Sequence, residues 1–255
     1  MLTLGALSWW APAYIEYAYK VSGNESGIDL VGIIFGGITI LAGLIGVGIG
    51  SGTAHYFKNK NYKKSDPIVC AVGIFIAIPF AFGALASTSW STQSIRILSW
   101  ILLFFTEVFL SMNWAIVTDI LLYIIIPNRR SIAQAMQISC SHLLGDAISP
   151  YIVGQISDWI AKGDQSIKTK YSSLQISLYL SLLVLIPGGI AFFYSAFFIE
   201  NDERNMIDFV EKHSDQDDDD DDDTLANNHH HKNSNSSPNH NLSEDTSSSS
   251  IITPL

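Results

Sequence analysis

Charge is what the first 200 residues of this 255-residue chain have least of. Residues 1–200 carry 11 Lys plus Arg against 10 Asp plus Glu, a balance of +1, whereas residues 201–255 carry 3 against 14, a balance of −11. The net charge of −10 therefore belongs to the tail, and the remainder offers no basic face suited to nucleic acid. Cysteine is scarce as well. Cys70 and Cys140 each lie alone in apolar stretches, so neither a disulfide framework nor a thiolate metal site is expected. No basic region precedes the apolar run after Met1, and no small-residue cleavage site stands clear of it, so a cleavable-signal pattern is missing. The abrupt entry into that run reads as the surviving end of a longer helix. Catalytic motifs are absent too: there is no G-x-S-x-G, no H-E-x-x-H and no paired-Cys motif. One acid–imidazole pair has only Ser139 and Ser149 nearby as nucleophiles. Neither an enzyme nor a cofactor is expected.

Hydrocarbon-length apolar runs are what the chain has in abundance. A membrane span needs about 20 mostly apolar residues, and six segments qualify: Leu2–Tyr19, Leu30–Tyr56, Pro67–Ser87, Ile97–Ile126, Ala133–Ile160 and Leu174–Ile199. Their connections are short and polar, which predicts an all-α multipass bundle over 1–200 with sequence neighbours side by side. Lys58, Lys60, Lys63 and Lys64 follow the second segment, and Arg129 and Arg130 follow the fourth. Six alternating helices put both loops and the tail on one side, which the positive-inside rule assigns to the cytoplasm, although Lys162, Lys168 and Lys170 lie opposite. Residues 201–255, with seven Asp at 217–223, the run His229–His231 and stretches of Ser and Asn, lack the apolar content for a core and are expected to be a disordered cytoplasmic tail.

Gly32, Gly36, Thr39, Gly43, Gly46 and Gly50 in the second segment are spaced by alternating fours and threes. That spacing puts every small residue on one helix face, where a neighbouring backbone can approach closely.

The informative exceptions are polar groups at depths where water is normally absent. Ionisable side chains there cost at least ~2.5–3.5 kcal/mol each and usually face a cavity or a partner helix. In the fourth segment Glu107, Ser111, Trp114 and Thr118 share a face, with Asn113 about 9 Å along the axis from Glu107. Asp119 lies about 18 Å from Glu107 and is rotated by about 120°, so the two carboxylates should serve different heights. In the fifth, Ser139, His142, Asp146 and Ser149 share a face, and His142 and Asp146 are one turn apart, close enough to hydrogen-bond and to share a proton near neutral pH. Pro150 leaves the carbonyl of residue 146 without its helical donor, which suggests a local polar pocket. Trp114 is too deep for an interface anchor and is expected to line a cavity.

Two stretches are long enough to be specific: Ser111-Met-Asn-Trp-Ala-Ile-Val-Thr-Asp-Ile-Leu-Leu-Tyr-Ile-Ile-Ile-Pro-Asn-Arg-Arg130 and Ser141-His-Leu-Leu-Gly-Asp-Ala-Ile-Ser-Pro-Tyr151. Together with Gly5-Ala-Leu-Ser-Trp-Trp-Ala-Pro12 and Ile156-Ser-Asp158, they make the chain resemble the spinster family of major facilitator transporters, in its second six-helix half. The resemblance implies a lipid exporter of lysosomal, late endosomal or plasma membranes. Its expected cargo is sphingoid-base phosphates or lysophospholipids, with proton coupling in some members and alternating access about a midplane site. Glu107, Asn113, Trp114, Asp119, His142 and Asp146 are then expected along the path, and Gly32, Gly36, Gly43, Gly46 and Gly50 at a packing surface. The expected partners are membrane lipids, a lipid substrate, protons, and the first six-helix half or a second copy. The stretch Gly48-Ile-Gly-Ser-Gly-Thr-Ala-His-Tyr56 departs from the facilitator signature in having no carboxylate. A contrasting expectation is a non-transporting membrane partner that packs through the glycine face.

Overall fold

The computed structural model describes residues 1–23, 27–60, 62, 64–88 and 93–212, the side chains of 93–95 excepted. The chain divides into Met1–Ile207 and Asp208–Leu255, and the first of these holds the bundle. Its elements are all helical: α1 Leu2–Val21, α2 Val31–Asn59, α3 Ser65–Ser87, α4 Gln93–Ser111, α5 Asn113–Ile124, α6 Arg130–Cys140, α7 Ser149–Ala161, α8 Ile167–Leu183 and α9 Leu185–Ser195. A π-helical segment, Ser141–Ala147, joins α6 to α7, and 3-10 turns precede α2 and α6.

These elements form six rods, and the last three are not continuous α-helices. The fourth expected span is α4 and α5, interrupted at Met112. The fifth is α6, the π segment and α7; the sixth is α8 and α9. Proline accounts for two of the breaks. Pro187 has no N–H for the carbonyl of Leu183, where α8 stops, and Pro150 begins α7 just after the π turn. Helix also runs over 199–212, past the expected end of the bundle at 200. That stretch lacks Pro and Gly, and Arg204 pairs with Glu200 across one turn at 3.5 Å. The rest of the expected tail, including the Asp and His runs, lies outside the described residues.

Four stretches among the described residues are long and apolar enough to cross a membrane: Ile28–Asn59, Ser65–Ser87, Arg96–Ile124 and Ile167–Ser195. Trp, Tyr and Ser residues with Glu16 dilute α1, and the fifth rod is diluted by Arg130 and by the polar residues of its π segment. Outward-facing Ile33, Ile40, Leu44, Leu143, Ile190 and Phe197 match a hydrocarbon solvent.

The core forms where α1, α3, α4 and α8 converge on Leu7, Tyr14, Ala77, Ala81, Leu103, Leu174 and Leu178. A smaller cluster of Ala54, Cys70, Met112 and Ile116 ties α2, α3 and α5 together. Tyr14 is almost fully buried, and its hydroxyl donates to the carbonyl of Leu85 at 2.7 Å, pairs with Thr88 and lies 3.1 Å from the hydroxyl of Tyr171. The rings of Tyr14 and Tyr171 stack with centroids 5.1 Å apart, so one side chain knits α1, α3 and α8. Toward the opposite end of α3, the Asp66 side chain is 1% exposed and accepts from Lys58 and from the Tyr123 hydroxyl, each at 2.8 Å. The ammonium of Lys58 also lies 4.1 Å from the centre of the Tyr123 ring, which closes a bridge between α2, α3 and α5. Asp66 thus places a carboxylate beside the end of α2, whose glycine-rich stretch Gly48–Tyr56 has none.

The glycine face of α2 divides along its length. A Cβ at Gly46 would strike the backbone of Val108, and one at Gly50 the backbone of Met112, so α4 and the α4–α5 junction lie directly on these positions. At Gly32, Gly36 and Gly43 a Cβ would meet nothing within 4 Å. Spacing defines the face, but only its second half is covered by this bundle.

Candidate functional site

Close approach of α1 to the π segment builds the site. A Cβ at Gly5 would fall 2.6 Å from the Cα of Asp146 and 2.6 Å from the hydroxyl of Ser149, and Gly145 lies against the backbone of Met1 and Leu2. Glycine at both positions lets the two backbones nearly touch, and the Trp10 indole donates to the carbonyl of Pro150 at 2.8 Å, pinning the start of α7. The carbonyl of Asp146, which Pro150 deprives of its helical donor, accepts a long 3.4 Å hydrogen bond from Ser149. Asp146 is thereby held at the edge of α1 rather than in lipid.

Two cavities flank this junction. The larger, about 640 Å³, is lined by Ser8 and Trp9 of α1, Thr39 and Gly43 of α2, Glu107 and Ser111 of α4, Trp114 of α5, and Asp146. The second, about 450 Å³, is lined by Asn113, Trp114 and Thr118 of α5, Gln137 of α6, Ser141 and His142 of the π segment, and Phe192 of α9. Leu4 and Trp114 belong to both walls, so the indole is the partition between them. Nδ1 of His142 lies 2.7 Å from Oδ2 of Asp146, and the imidazole is 5.8 Å from the Trp114 ring. This couple connects the cavities: the imidazole lines one and the carboxylate the other.

The hydrogen-bond inventory singles out the same place. Thr39 Oγ1, Glu107 Oε1, Asn113 Oδ1 and Asp146 Oδ1 are buried without a hydrogen-bond partner among the described residues. Three of the four line the larger cavity and the fourth lines its neighbour. Glu107 is 2% exposed. A buried polar atom left unpaired typically costs ~1–3 kcal/mol, and more when charged, so these atoms concentrate a standing cost at one junction of the bundle.

Of the residues singled out by spacing, the structure brings Glu107, Trp114 and Asp146 into one cavity, and Asn113, Trp114 and His142 into the other. Asp119 is exposed and lines neither. Gly43 lines the larger cavity, and Gly32 and Gly36 line neither. Spacing overlooked Ser8 and the contacts of Gly5 and Gly145, and took Thr39 only as a member of the glycine face. The juxtaposition of Thr39 with Glu107 crosses helices, where no intrahelical period reports it. No group of three His, Cys, Asp or Glu able to hold a metal ion occurs among the described residues.

No family model matches the chain. Individual proteins do. Protein spinster homolog 1 of Bos taurus and that of Homo sapiens are each 43% identical over 208 residues, covering 78% of this chain and 38% of the relative. Protein spinster of Drosophila melanogaster is 46% identical over 160 residues, covering 62% of this chain and 26% of the relative. The chain thus spans about 38% of the length of the spinster homologs it matches. Identity at this level over most of an apolar helical bundle means that the chain belongs to the spinster family, as an integral multipass membrane protein.

Proposed function

We propose that this bundle is one wall of a lipid-export path, the second six-helix half of a major facilitator arrangement working by alternating access. The observation that carries the reading is that Thr39, Glu107 and Asp146, each with a buried oxygen lacking a hydrogen-bond partner among the described residues, all line one cavity between α1, α2, α4 and the π segment. A lipid head group would engage these atoms while its chain lies against Trp114 and the neighbouring apolar surface. His142 and Asp146 would carry the coupling proton, since each lines a different cavity and they share a 2.7 Å contact. Cargo is a lysophospholipid or a sphingoid-base phosphate, the membrane is lysosomal, late endosomal or plasma, and residues after 200 face the cytoplasm. The opposite wall comes from the other six-helix half or from a second copy.

The test is pH-dependent release of labelled lysophospholipid or sphingoid-base phosphate from cells expressing the chain with a co-expressed opposite half. Release above background and its reduction by Asp146→Asn at unchanged membrane abundance are expected. Undiminished release by Asp146→Asn removes that carboxylate from the mechanism, and no release under any pairing removes the transport reading.

One feature favours a second reading, a non-transporting partner of other membrane proteins. Gly32, Gly36 and Gly43 leave the first half of the α2 face uncovered, beside exposed Ile33 and Ile40. Crosslinks from Gly36→Cys to a foreign transporter, without lipid release, would favour it.

A further inference from the structure

Lysines at one end of the bundle are treated in two ways. Lys58 is neutralised, its ammonium lying 2.8 Å from the carboxylate of Asp66. Lys60 and Lys64 have no carboxylate within ion-pair distance among the described residues. Each ammonium sits instead over an aromatic ring, that of Lys60 at 4.6 Å from the centre of Tyr56 and that of Lys64 at 5.9 Å from the centre of Phe197. Nearby in the chain, Asp66 is taken by Lys58 and Tyr123, and Glu200 by Arg204. A ring face attracts and orients an ammonium but has no net charge, so it holds the cation without neutralising it. Both lysines are exposed, and an ammonium carries three donors, so N–H groups remain for an anion.

The rings beneath these lysines belong to a larger exposed group. Tyr56, Phe57 and Tyr62 meet edge to face, with centroids 5.6 and 6.2 Å apart in succession. The backbone N–H groups of Lys60 and Tyr62 both donate to the carbonyl of Phe57, at 3.1 and 3.2 Å, which folds the chain back over the end of α2. Phe197 brings in the stretch just after α9. Tyr56, Tyr62 and Phe197 are 56%, 62% and 59% exposed. Exposed rings beside cations that are not neutralised, at the ends of apolar helices, match the head-group layer of a bilayer. A small soluble anion would use the ammonium groups and leave the rings in water, whereas a phospholipid covers both. None of these residues lines either cavity.

We infer that this rim binds an anionic phospholipid of the surrounding leaflet, with Lys60 and Lys64 as partners of its charged head group and the rings of Tyr56, Tyr62 and Phe197 as its seat at head-group level. The lipid is a resident of the rim and not cargo of the cavities, so the inference stands apart from the transport reading. Lys58, spent on Asp66, takes no part.

The full chain is reconstituted in nanodiscs of equal phosphatidylserine and phosphatidylcholine, and the lipids that stay bound on release from the disc are counted by native mass spectrometry. A lysine near the membrane surface contributes about fivefold. Phosphatidylserine should therefore be retained over phosphatidylcholine by about tenfold or more. Lys60→Gln combined with Lys64→Gln should lower that ratio at least about fivefold, and Lys60→Arg combined with Lys64→Arg, which keeps both charges, should preserve most of it. Lys168→Gln combined with Lys170→Gln, at the start of α8 beside the far end of α3, should leave it unchanged. Glycerophosphoserine, the same head group without chains, should not displace the lipid at equal concentration. Equal retention of the two lipids, a glutamine pair that keeps the wild-type ratio, an arginine pair that loses it, or displacement by glycerophosphoserine overturns the inference.

Discussion

Two of the places where the bundle buries polar groups treat them in opposite ways. Where α1, α3 and α8 meet, the Tyr14 hydroxyl, Thr88, the Tyr171 hydroxyl, the amide of Gln175 and the Leu85 carbonyl satisfy one another. Where α1, α2, α4 and the π segment meet, Thr39, Glu107 and Asp146 line one hollow, and each has a buried oxygen without a hydrogen-bond partner among the described residues. Both sets face a low-dielectric surround, and it is hydrogen-bond satisfaction, not burial, that separates them: a completed network contributes rigidity, whereas an incomplete one is a standing cost.

The largest expected effect comes from the glycines of α2, the helix that forms one wall of the unsatisfied region. Gly50→Leu would push a side chain into the Met112 backbone, and a loss of at least about 3 kcal/mol is expected, seen as aggregation during size-exclusion chromatography in detergent. Gly36→Leu, where a Cβ meets open space, should leave the elution profile of the chain unchanged. Equal damage from both would mean that the uncovered half of α2 is packed in the folded protein.

Next in size is the Lys58–Asp66–Tyr123 bridge, a satisfied network like that of Tyr14 but one that carries charge. Lys58→Met leaves a carboxylate that is 1% exposed with Tyr123 and Ser65 as its side-chain partners among the described residues. Because the Lys58 side chain is itself 40% exposed, the expected loss is discounted to about 2 kcal/mol, read from the thermal midpoint. Asp66→Asn together with Lys58→Met should recover part of it.

A direct comparison of the two regions pairs Tyr14→Phe with Glu107→Leu. The first should lower stability by about 1 kcal/mol and leave lipid release intact. The second should leave stability unchanged or raise it, since it removes a buried unpaired group, while reducing lipid release. A Glu107→Leu protein that unfolds as readily as Tyr14→Phe would place Glu107 with the structural groups.

The smallest effect lies outside the membrane. Hydrogen bonds from the Thr169 hydroxyl first, then from the backbone and hydroxyl of Ser166, hold the Asp164 carboxyl below its ordinary 3.8. Its folded-state value is therefore the lower one. The hydrogen bonds by which Asp164 braces Ser166, the N-cap of α8, are complete above the ordinary value and are lost as pH falls through the folded one. Acid titration of the Ser166 amide resonance, whose N–H donates to Asp164, should show the transition, and Asp164→Asn should abolish it.

The sequence made the intrahelical part of the site legible. Glu107, Ser111 and Trp114 share a helix face and line one cavity, and the one-turn spacing of His142 and Asp146 corresponds to an observed contact of 2.7 Å. The all-α bundle was legible for the same reason, because apolar length and short connections are local properties. What escaped requires the relation between helices. Asp66 stands at the start of α3 with nothing in its neighbourhood to announce Lys58 or Tyr123 as partners, and Thr39 and Glu107 line one cavity from two helices that Gly46 and Gly50 let approach. The glycine spacing specified a face, but the covered length of that face depends on where the neighbouring rod lies. The breaks in the later rods were partly marked by Pro150 and Pro187, whereas no residue type announces the wide turn that precedes Pro150.

That wide turn bears on how the fifth rod is to be numbered around its axis. From Ser141 to Ala147 the backbone spends more residues per revolution than an α-helix does, so a wheel drawn at 3.6 residues drifts by roughly one position, about 100°, before α7 begins. Two residues whose separation suggests faces about 100° apart can then lie in line across the segment. Asp158 and Trp159 must accordingly be placed by the anchor between Trp10 and Pro150, not by counting forward from His142. In this rod angular position is inherited from two separate origins.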